Sequence, residues 1–242
     1  MPSDGPVVPL SAIGSAKGVG SATVQLKHSL WVTWSELAIE HEAVARAARS
    51  RAVSASGPAD RSDPMEDEFR ASLQAVTTAA LALDALYVPV KELAPRVSAS
   101  TVPVCPRKRT ARPARIREAL KQAFRVGKLN DRWVQEFKWL FRLRDSAVHY
   151  RESAEDPAPH PRGMSVSKAH SAYCAEAAKR AVDLLMEVLH SAAEQPKPKL
   201  REAVNWSAGI KASVRKLDEL RDRNLGDQVT TRSGNQPTAD SS

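Results

Sequence analysis

The sequence contains little cysteine, glycine or aromatic residue. Its 242 residues include 2 cysteines and 10 glycines, and aromatic residues make up 5%. Two cysteines cannot build a disulfide scaffold, and these two do not have the spacing of a zinc site. Scarce glycine and aromatic residues argue against an all-β sandwich, which depends on glycine turns and aromatic cross-strand pairs. The composition therefore disfavours disulfide-rich and all-β folds, and no metal or other cofactor is predicted.

Targeting signals and long apolar runs are also scarce. The N-terminus, MPSDGPVVPLSAIGS, lacks the basic start and the continuous apolar stretch of a signal peptide. The most apolar run, AVTTAALALDALYVPV, is short and contains Asp84 and Pro89, so we predict that it does not span a membrane. Hydrophobic residues make up 42%, enough for a packed core. We expect a reduced, cytoplasmic protein without a membrane segment.

The spacing of apolar residues predicts an all-α fold, a helical bundle of about five helices with flexible ends. Residues 1–20 are rich in Pro, Ser and Gly and are predicted to be a disordered leader. The bundle is predicted over 21–194, a C-terminal helix over 195–223 and a disordered tail over 224–242. The five bundle helices are predicted to begin near Ser21, near Asp63, near Pro113, at Asn130 or Asp131, and at Ser165 or Ser167.

The first two predicted helices differ in their patterning. In the first, apolar residues recur every three or four positions and predict one buried stripe: Leu26, Leu30, Trp34, Leu37, His41 and Val44. In the second, the stretch AALALDALYV is apolar nearly all round, which predicts the centre of the bundle. Pro89 and Pro95 are expected to kink or end this helix. Asp84 lies in the same stretch and needs a partner there, and we expect a buried structural hydrogen bond.

The most informative string is FRLRDSAVHYRE, at residues 141–152. It contains Arg144, then an acid, Asp145, and then His149. This pattern resembles the signature of the HEPN superfamily, which consists of small helical-bundle proteins of toxin–antitoxin and RNA-processing systems. The strict resemblance covers six residues, and the wider one a helical core over about 65–192. It implies a homodimer in which two copies of the motif face one another across a cleft. Active members are metal-independent endoribonucleases, and many others act only as binding modules.

The resemblance implies a role for each matching residue. His149 is the expected general acid/base, Arg144 the group that holds the phosphate, and Asp145 the polar residue after the arginine. These residue types suit RNA cleavage, because an imidazole transfers protons near neutral pH and a guanidinium binds two phosphoryl oxygens. Arg144 lies roughly 140° around an ideal helix from His149, which favours a site completed by a second copy. The alternative interpretation is an ordinary solvated helix end with a favourably placed histidine.

Basic residues are concentrated in one segment, 107–128. It holds nine Lys and Arg residues and one acid, so its net charge of +8 equals that of the whole chain. Clustered cations beside a phosphate site suit an RNA backbone. The predicted RNA-binding residues are Arg112, Arg115, Arg117, Lys121, Arg125 and Lys128. The alternative partner of this segment is an acidic protein, such as an antitoxin.

Three function classes therefore remain open. The first is a HEPN-like ribonuclease, and the second is a catalytically silent module that binds RNA or an acidic protein. The third is a scaffold or oligomerisation protein without a nucleic-acid role, for which the apolar second helix and the scattered tryptophans would provide an interface.

Overall fold

The computed structural model describes residues 29–93, 111–127, 129–149, 158–159 and 165–233. The helices within these ranges are α1 (Leu30–Ser54), α2 (Pro58–Leu93), α3 (Arg112–Ala123), α4 (Leu129–Val148), α5 (Lys168–Ala172), α6 (Ala175–Glu194) and α7 (Arg201–Ser233). Two short strands, β1 (Ala158–Pro159) and β2 (Ser165–Val166), pair antiparallel. The predicted all-α class and bundle architecture are confirmed, with seven helices described rather than about five. The predicted leader, 1–20, lies outside the described residues.

The buried face of α1 is not the predicted one. Its buried residues are Trp31, Ser35, Ala38, Ile39, Glu42, Ala45, Ala48 and Ala52. Two members of the predicted stripe are exposed, Leu30 at 58% and Val44 at 51%. Its other described members, Trp34, Leu37 and His41, are half-buried, and Leu26 lies outside the described residues. Small side chains allow α1, α2 and α6 to approach closely around the cluster Ala45, Ala71, Ala75, Ala175 and Ala178. Close packing of alanines, together with Trp31 and Ile39, thus forms the buried face of α1.

The apolar second half of α2 lies at the centre of the bundle, as predicted. Leu83 and Leu86 are fully buried there, and the helix packs against α1, α3, α4 and α6. The helix continues through Pro89 to Leu93, so Pro89 does not end it, and Pro95 lies outside the described residues. The helix also begins at Pro58, ahead of the predicted start. Extensive packing along α2 outweighs the backbone donors lost at its internal prolines.

Its length and composition also make α2 the one helix in the described part of the chain that is long and apolar enough to cross a membrane. Half of the apolar window is buried inside the structure. A helix apolar on most sides is equally typical of the centre of a bundle, which is where α2 packs.

The C-terminal third differs from the prediction in its boundaries. The predicted fifth helix is divided into α5 and α6 at Tyr173 and Cys174, while Ser167 caps α5 by accepting a 3.3 Å hydrogen bond from the His170 N–H. The last helix, α7, packs against α1 and α6 and continues to Ser233, beyond the predicted end at residue 223. The rest of the predicted tail, 234–242, lies outside the described residues.

Candidate functional site

The motif occupies the C-terminal end of α4. The helix buries one aromatic face, formed by Trp133, Phe137, Leu140 and Phe141. Asp145 lies in its last turn, and His149 follows directly after its last residue. The His149 N–H donates a 2.9 Å hydrogen bond to the Asp145 carbonyl oxygen, which keeps His149 in helical register. Because these residues are four apart, their side chains lie on one face, and both are exposed.

Arg144 has different surroundings from His149. Its side chain is 24% exposed, and its guanidinium carbon lies 5.1 Å from the centre of the Phe141 ring. Nε lies 2.8 Å from Asp145 Oδ1, yet this buried atom makes no aligned hydrogen bond within the described residues. The contact is therefore an ion pair without a well-aligned hydrogen bond. Since the Asp145 side chain is 61% exposed, water screens the pair and it contributes little stability.

All three motif residues line one open groove, of about 690 Å³, between α4 and the start of α3. We call it the motif groove. Its cationic lining residues are Arg112, Lys138, Arg142 and Arg144, and Asp145 is the carboxylate among its lining residues. Four cations against one carboxylate give the groove a positive charge that attracts phosphate. Lys138 and Arg142 were not among the residues predicted from the sequence. Their spacing indicates that they lie beside the motif, because positions 138, 142, 145 and 149 share one helix face.

Arg112, one of the predicted RNA-binding residues, already has a partner. Its Nε donates a 2.5 Å hydrogen bond to Asp84 Oδ1, and its guanidinium lies over the Tyr87 ring, 4.2 Å from the centroid. The Asp84 side chain is 31% exposed, so the hydrogen bond expected from the sequence is present as a half-buried ion pair and is not fully buried. This pair fixes the first turn of α3 on α2 and offsets part of the charge of Arg112 in the groove.

The other predicted RNA-binding residues do not line the motif groove. Arg115, Lys121 and Arg125 are exposed, Arg117 is half-buried, and Lys128 lies outside the described residues. Ile116 and Leu120 are buried as predicted, so successive basic residues of α3 project to different sides of the helix. Arg125 lies beyond the end of α3, and the helix from Arg112 to Ala123 is about 17 Å long at 1.5 Å per residue. The basic segment therefore does not form one continuous strip.

A tyrosine at the junction between α5 and α6 anchors the motif by a hydrogen bond. The Tyr173 hydroxyl donates a 2.6 Å hydrogen bond to the carbonyl oxygen of Leu143, the residue before Arg144. Burial raises the pKa of Tyr173, so the hydroxyl remains protonated and able to donate at neutral pH. Sequence spacing gives no signal for this contact, because the two residues are far apart in the chain and belong to different elements.

Other histidines have partners away from the motif groove. His170 Nε2 lies 3.2 Å from Glu66 Oε2, and His190 Nε2 lies 2.9 Å from Asp218 Oδ1. Across the described ranges, no group of three or more His, Cys, Asp or Glu side chains is arranged to hold a metal ion.

Comparison of the chain with family models, curated proteins and solved structures found no match. The features available for a functional argument are thus those of the chain itself: an all-α bundle and an open cationic groove that contains Arg144, Asp145 and His149.

Proposed function

We propose that the protein is a metal-independent endoribonuclease of the HEPN type that acts as a homodimer. The observation that carries this proposal is the motif groove, where Arg144, Asp145 and His149 line one open surface together with three further cations. A proton-transfer group in a cationic groove suits a phosphodiester substrate better than a neutral one.

The reaction assigned to the groove is attack of a ribose 2′-oxygen on the adjacent phosphorus. The bond from phosphorus to the 5′-oxygen breaks, which leaves a 2′,3′-cyclic phosphate and a 5′-hydroxyl end. Neutral His149 accepts the 2′-hydroxyl proton, and a protonated imidazole donates a proton to the leaving 5′-oxygen. Arg144 binds the non-bridging oxygens, on which negative charge develops.

A second copy of the chain completes this site. Arg144 packs half-buried on Phe141, whereas His149 is exposed one turn further along α4. Within one copy the two side chains lie roughly 140° apart around the helix. Two motif grooves that face one another bring the Arg144 of one copy towards the His149 of the other. They also supply two imidazoles for the two proton transfers.

A catalytically silent binding module is the second candidate. The observation that favours it is the ion pair between Arg144 and Asp145, because a carboxylate 2.8 Å from Nε competes with phosphate for the guanidinium. In that case the groove binds RNA, or an acidic partner protein such as an antitoxin, without cleaving it. Salt-sensitive RNA binding that survives His149→Ala supports this candidate.

A cleavage assay in EDTA decides between the two candidates. It compares wild-type protein with His149→Ala, Arg144→Ala and a matched control, His190→Ala, whose histidine pairs with Asp218 outside the groove. Wild type and control are expected to cleave RNA to 2′,3′-cyclic phosphate ends. His149→Ala is expected to lower the rate by about 100-fold or more.

The protein concentration in this assay is set where sedimentation shows a dimer. Intact RNA with all four proteins then overturns the ribonuclease proposal. Equal cleavage by all four overturns it as well, since it identifies a contaminating nuclease.

A further inference from the structure

A second cationic surface lies at the end of α3 remote from the motif groove. The segment between α6 and α7 contains the sequence Pro-Lys-Pro-Lys and runs beside the link that follows α3. The Arg125 N–H donates to the Gln195 carbonyl oxygen at 2.8 Å, and the Lys197 N–H donates to the Ala123 carbonyl oxygen at 3.1 Å. These two hydrogen bonds fix the segment, and its prolines restrict the backbone further.

We define the Pro-Lys surface as Gln122, Arg125 and Pro196–Lys199. It contains two shallow depressions of about 410 and 310 Å³, which share Pro198. The first is lined by Arg125 and also by a carboxylate, Glu194, and the second by Lys197 and Lys199 without a carboxylate among its lining residues. Three cations therefore stand close together on a rigid backbone.

The charges of this surface are not part of the ion pairs that link the helices. In the part of the chain that the structure describes, Arg125, Lys197 and Lys199 make no ion pair. The arginines paired with carboxylates there are Arg46, Arg49, Arg51, Arg70, Arg112, Arg132, Arg144, Arg180 and Arg221. An unpaired cluster keeps its potential for an anion from outside the molecule.

We propose that the Pro-Lys surface is a second phosphate-binding subsite, which holds single-stranded RNA whose neighbouring nucleotides occupy the motif groove. This inference rests on the proposed function. The two sites lie at opposite ends of α3, and Arg115 is exposed between them, on the same helix face as Gln122 seven residues later. The exposed cation between the two sites favours RNA over an acidic protein, because a strand that reaches from one site to the other passes Arg115. A flexible single strand can follow the path around α3, whereas an A-form duplex presents its phosphates in a fixed arrangement.

The test uses the full chain with Lys197→Glu/Lys199→Glu. Its matched control is Lys211→Glu/Lys216→Glu, which makes the same charge change at exposed positions of α7. A His149→Ala background keeps the RNA intact. Fluorescence anisotropy measures the affinity for single-stranded RNAs of about 4 and about 12 nucleotides, which fall within the range of known single-strand site sizes. The measurement is repeated at several salt concentrations.

The Pro-Lys variant is expected to lose about tenfold in affinity for the longer RNA and clearly less for the shorter one. The slope of log affinity against log salt falls by about 1.4 for the longer RNA, since each phosphate contact on a single strand contributes about 0.7. The α7 control loses less than about twofold. Circular dichroism melting verifies folding, and Lys197→Gln/Lys199→Gln replaces the glutamate variant if that one unfolds.

Equal losses in the Pro-Lys and α7 variants, or equal losses for both RNA lengths, overturn the subsite. Unchanged RNA affinity together with lost binding of polyglutamate assigns the surface to an acidic protein and also overturns it. The proposed nuclease function is tested separately. If the Pro-Lys variant loses affinity mainly for the longer RNA and the wild type does not cleave RNA, the subsite is supported and the nuclease proposal fails. If the wild type cleaves RNA and the variant shows no such loss of affinity, the nuclease proposal is supported and the subsite fails.

Discussion

The Tyr173 hydroxyl is bonded to the Leu143 carbonyl oxygen at 2.6 Å, across the junction between α5–α6 and α4. Both residues are buried, 4% and 8% exposed, so water does not readily replace the bond. Leu143 immediately precedes Arg144, and the same turn of α4 leads on to Asp145. The bond therefore ties the position of the motif to the packing of a distant helix.

Tyr173→Phe is expected to lower the free energy of unfolding by about 1–2 kcal/mol, because it removes the buried donor and keeps the ring. Urea denaturation measures this loss. Tyr87→Phe is the matched control, since it keeps the ring beneath the Arg112 guanidinium and should change stability by less than about 0.5 kcal/mol. Hydrogen exchange should also speed up in the last turns of α4 for Tyr173→Phe alone. Equal effects of the two variants would contradict the anchoring role.

A buried carboxylate on α1 should make stability depend on pH. The Glu42 side chain is 2% exposed, and burial raises its pKa above the ordinary 4.5 although Arg46 and Arg221 act in the opposite direction. The folded state thus binds this proton more tightly than the unfolded chain does. The contribution is fully present below pH 4.5 and is lost as the pH rises through the folded pKa.

Glu42→Gln is expected to flatten that part of the stability profile and to keep an acceptor for Arg46. Glu42→Ala is expected to cost about 1–3 kcal/mol at neutral pH, because it leaves Arg46 without its partner. Urea denaturation across the pH range measures both effects. Glu40→Gln, at an exposed position two residues away, is the control. A wild-type profile that keeps its slope in Glu42→Gln would assign the pH dependence to another group.

The spacing of large apolar residues predicted the buried positions of α3 and α4 correctly. Ile116, Leu120 and Phe137 are buried in α3 and α4 as their spacing requires. The same rule did not identify the buried face of α1, which combines alanines with Trp31 and Ile39 while Leu30 is exposed. Hydropathy patterns weight side-chain size, whereas close helix approach favours small residues, and a single sequence does not show which partner helix will come close.

Sequence spacing was sufficient to place Asp145 and His149 on one face of a helix end. It also contains the signal for Lys138 and Arg142, at positions four apart on that face. Contacts between elements could not be predicted in this way. The partner of Arg112 on α2 and the anchor at Tyr173 depend on how helices pack. The Pro-Lys surface depends on the contact between the segment after α3 and the segment between α6 and α7.

The pair between Asp84 and Arg112 should limit the charge that the motif groove presents to RNA. Asp84→Asn removes the carboxylate and leaves Arg112 at the groove, so RNA affinity is expected to rise by about two- to fivefold at low salt. Because both side chains are about one-third exposed, the cost in stability should stay below about 1 kcal/mol. Fluorescence anisotropy at two salt concentrations measures the gain. Asp67→Asn, which frees an exposed arginine on α1, is the control, and an equal gain there would show a simple net-charge effect.

Asp145→Asn tests whether the acid of the motif restrains Arg144. The substitution keeps the size of the side chain and one acceptor oxygen, replaces the other oxygen by an NH2 donor, and removes the charge beside Nε. RNA affinity in a His149→Ala background is therefore expected to rise by about three- to tenfold at low salt, and the gain should shrink as salt is added. Cleavage by Asp145→Asn alone is expected to stay within about threefold of wild type or to exceed it.

The reason for expecting retained cleavage is the way Asp145 contacts His149. In the described structure they are joined through the backbone, from the His149 N–H to the Asp145 carbonyl oxygen, and no side-chain hydrogen bond connects them. Asp131→Asn, an exposed acid in the first turn of α4, is the matched control and should change neither affinity nor rate by more than about twofold. A rate that collapses in Asp145→Asn while RNA binding improves would instead assign the carboxylate a role in orienting the imidazole.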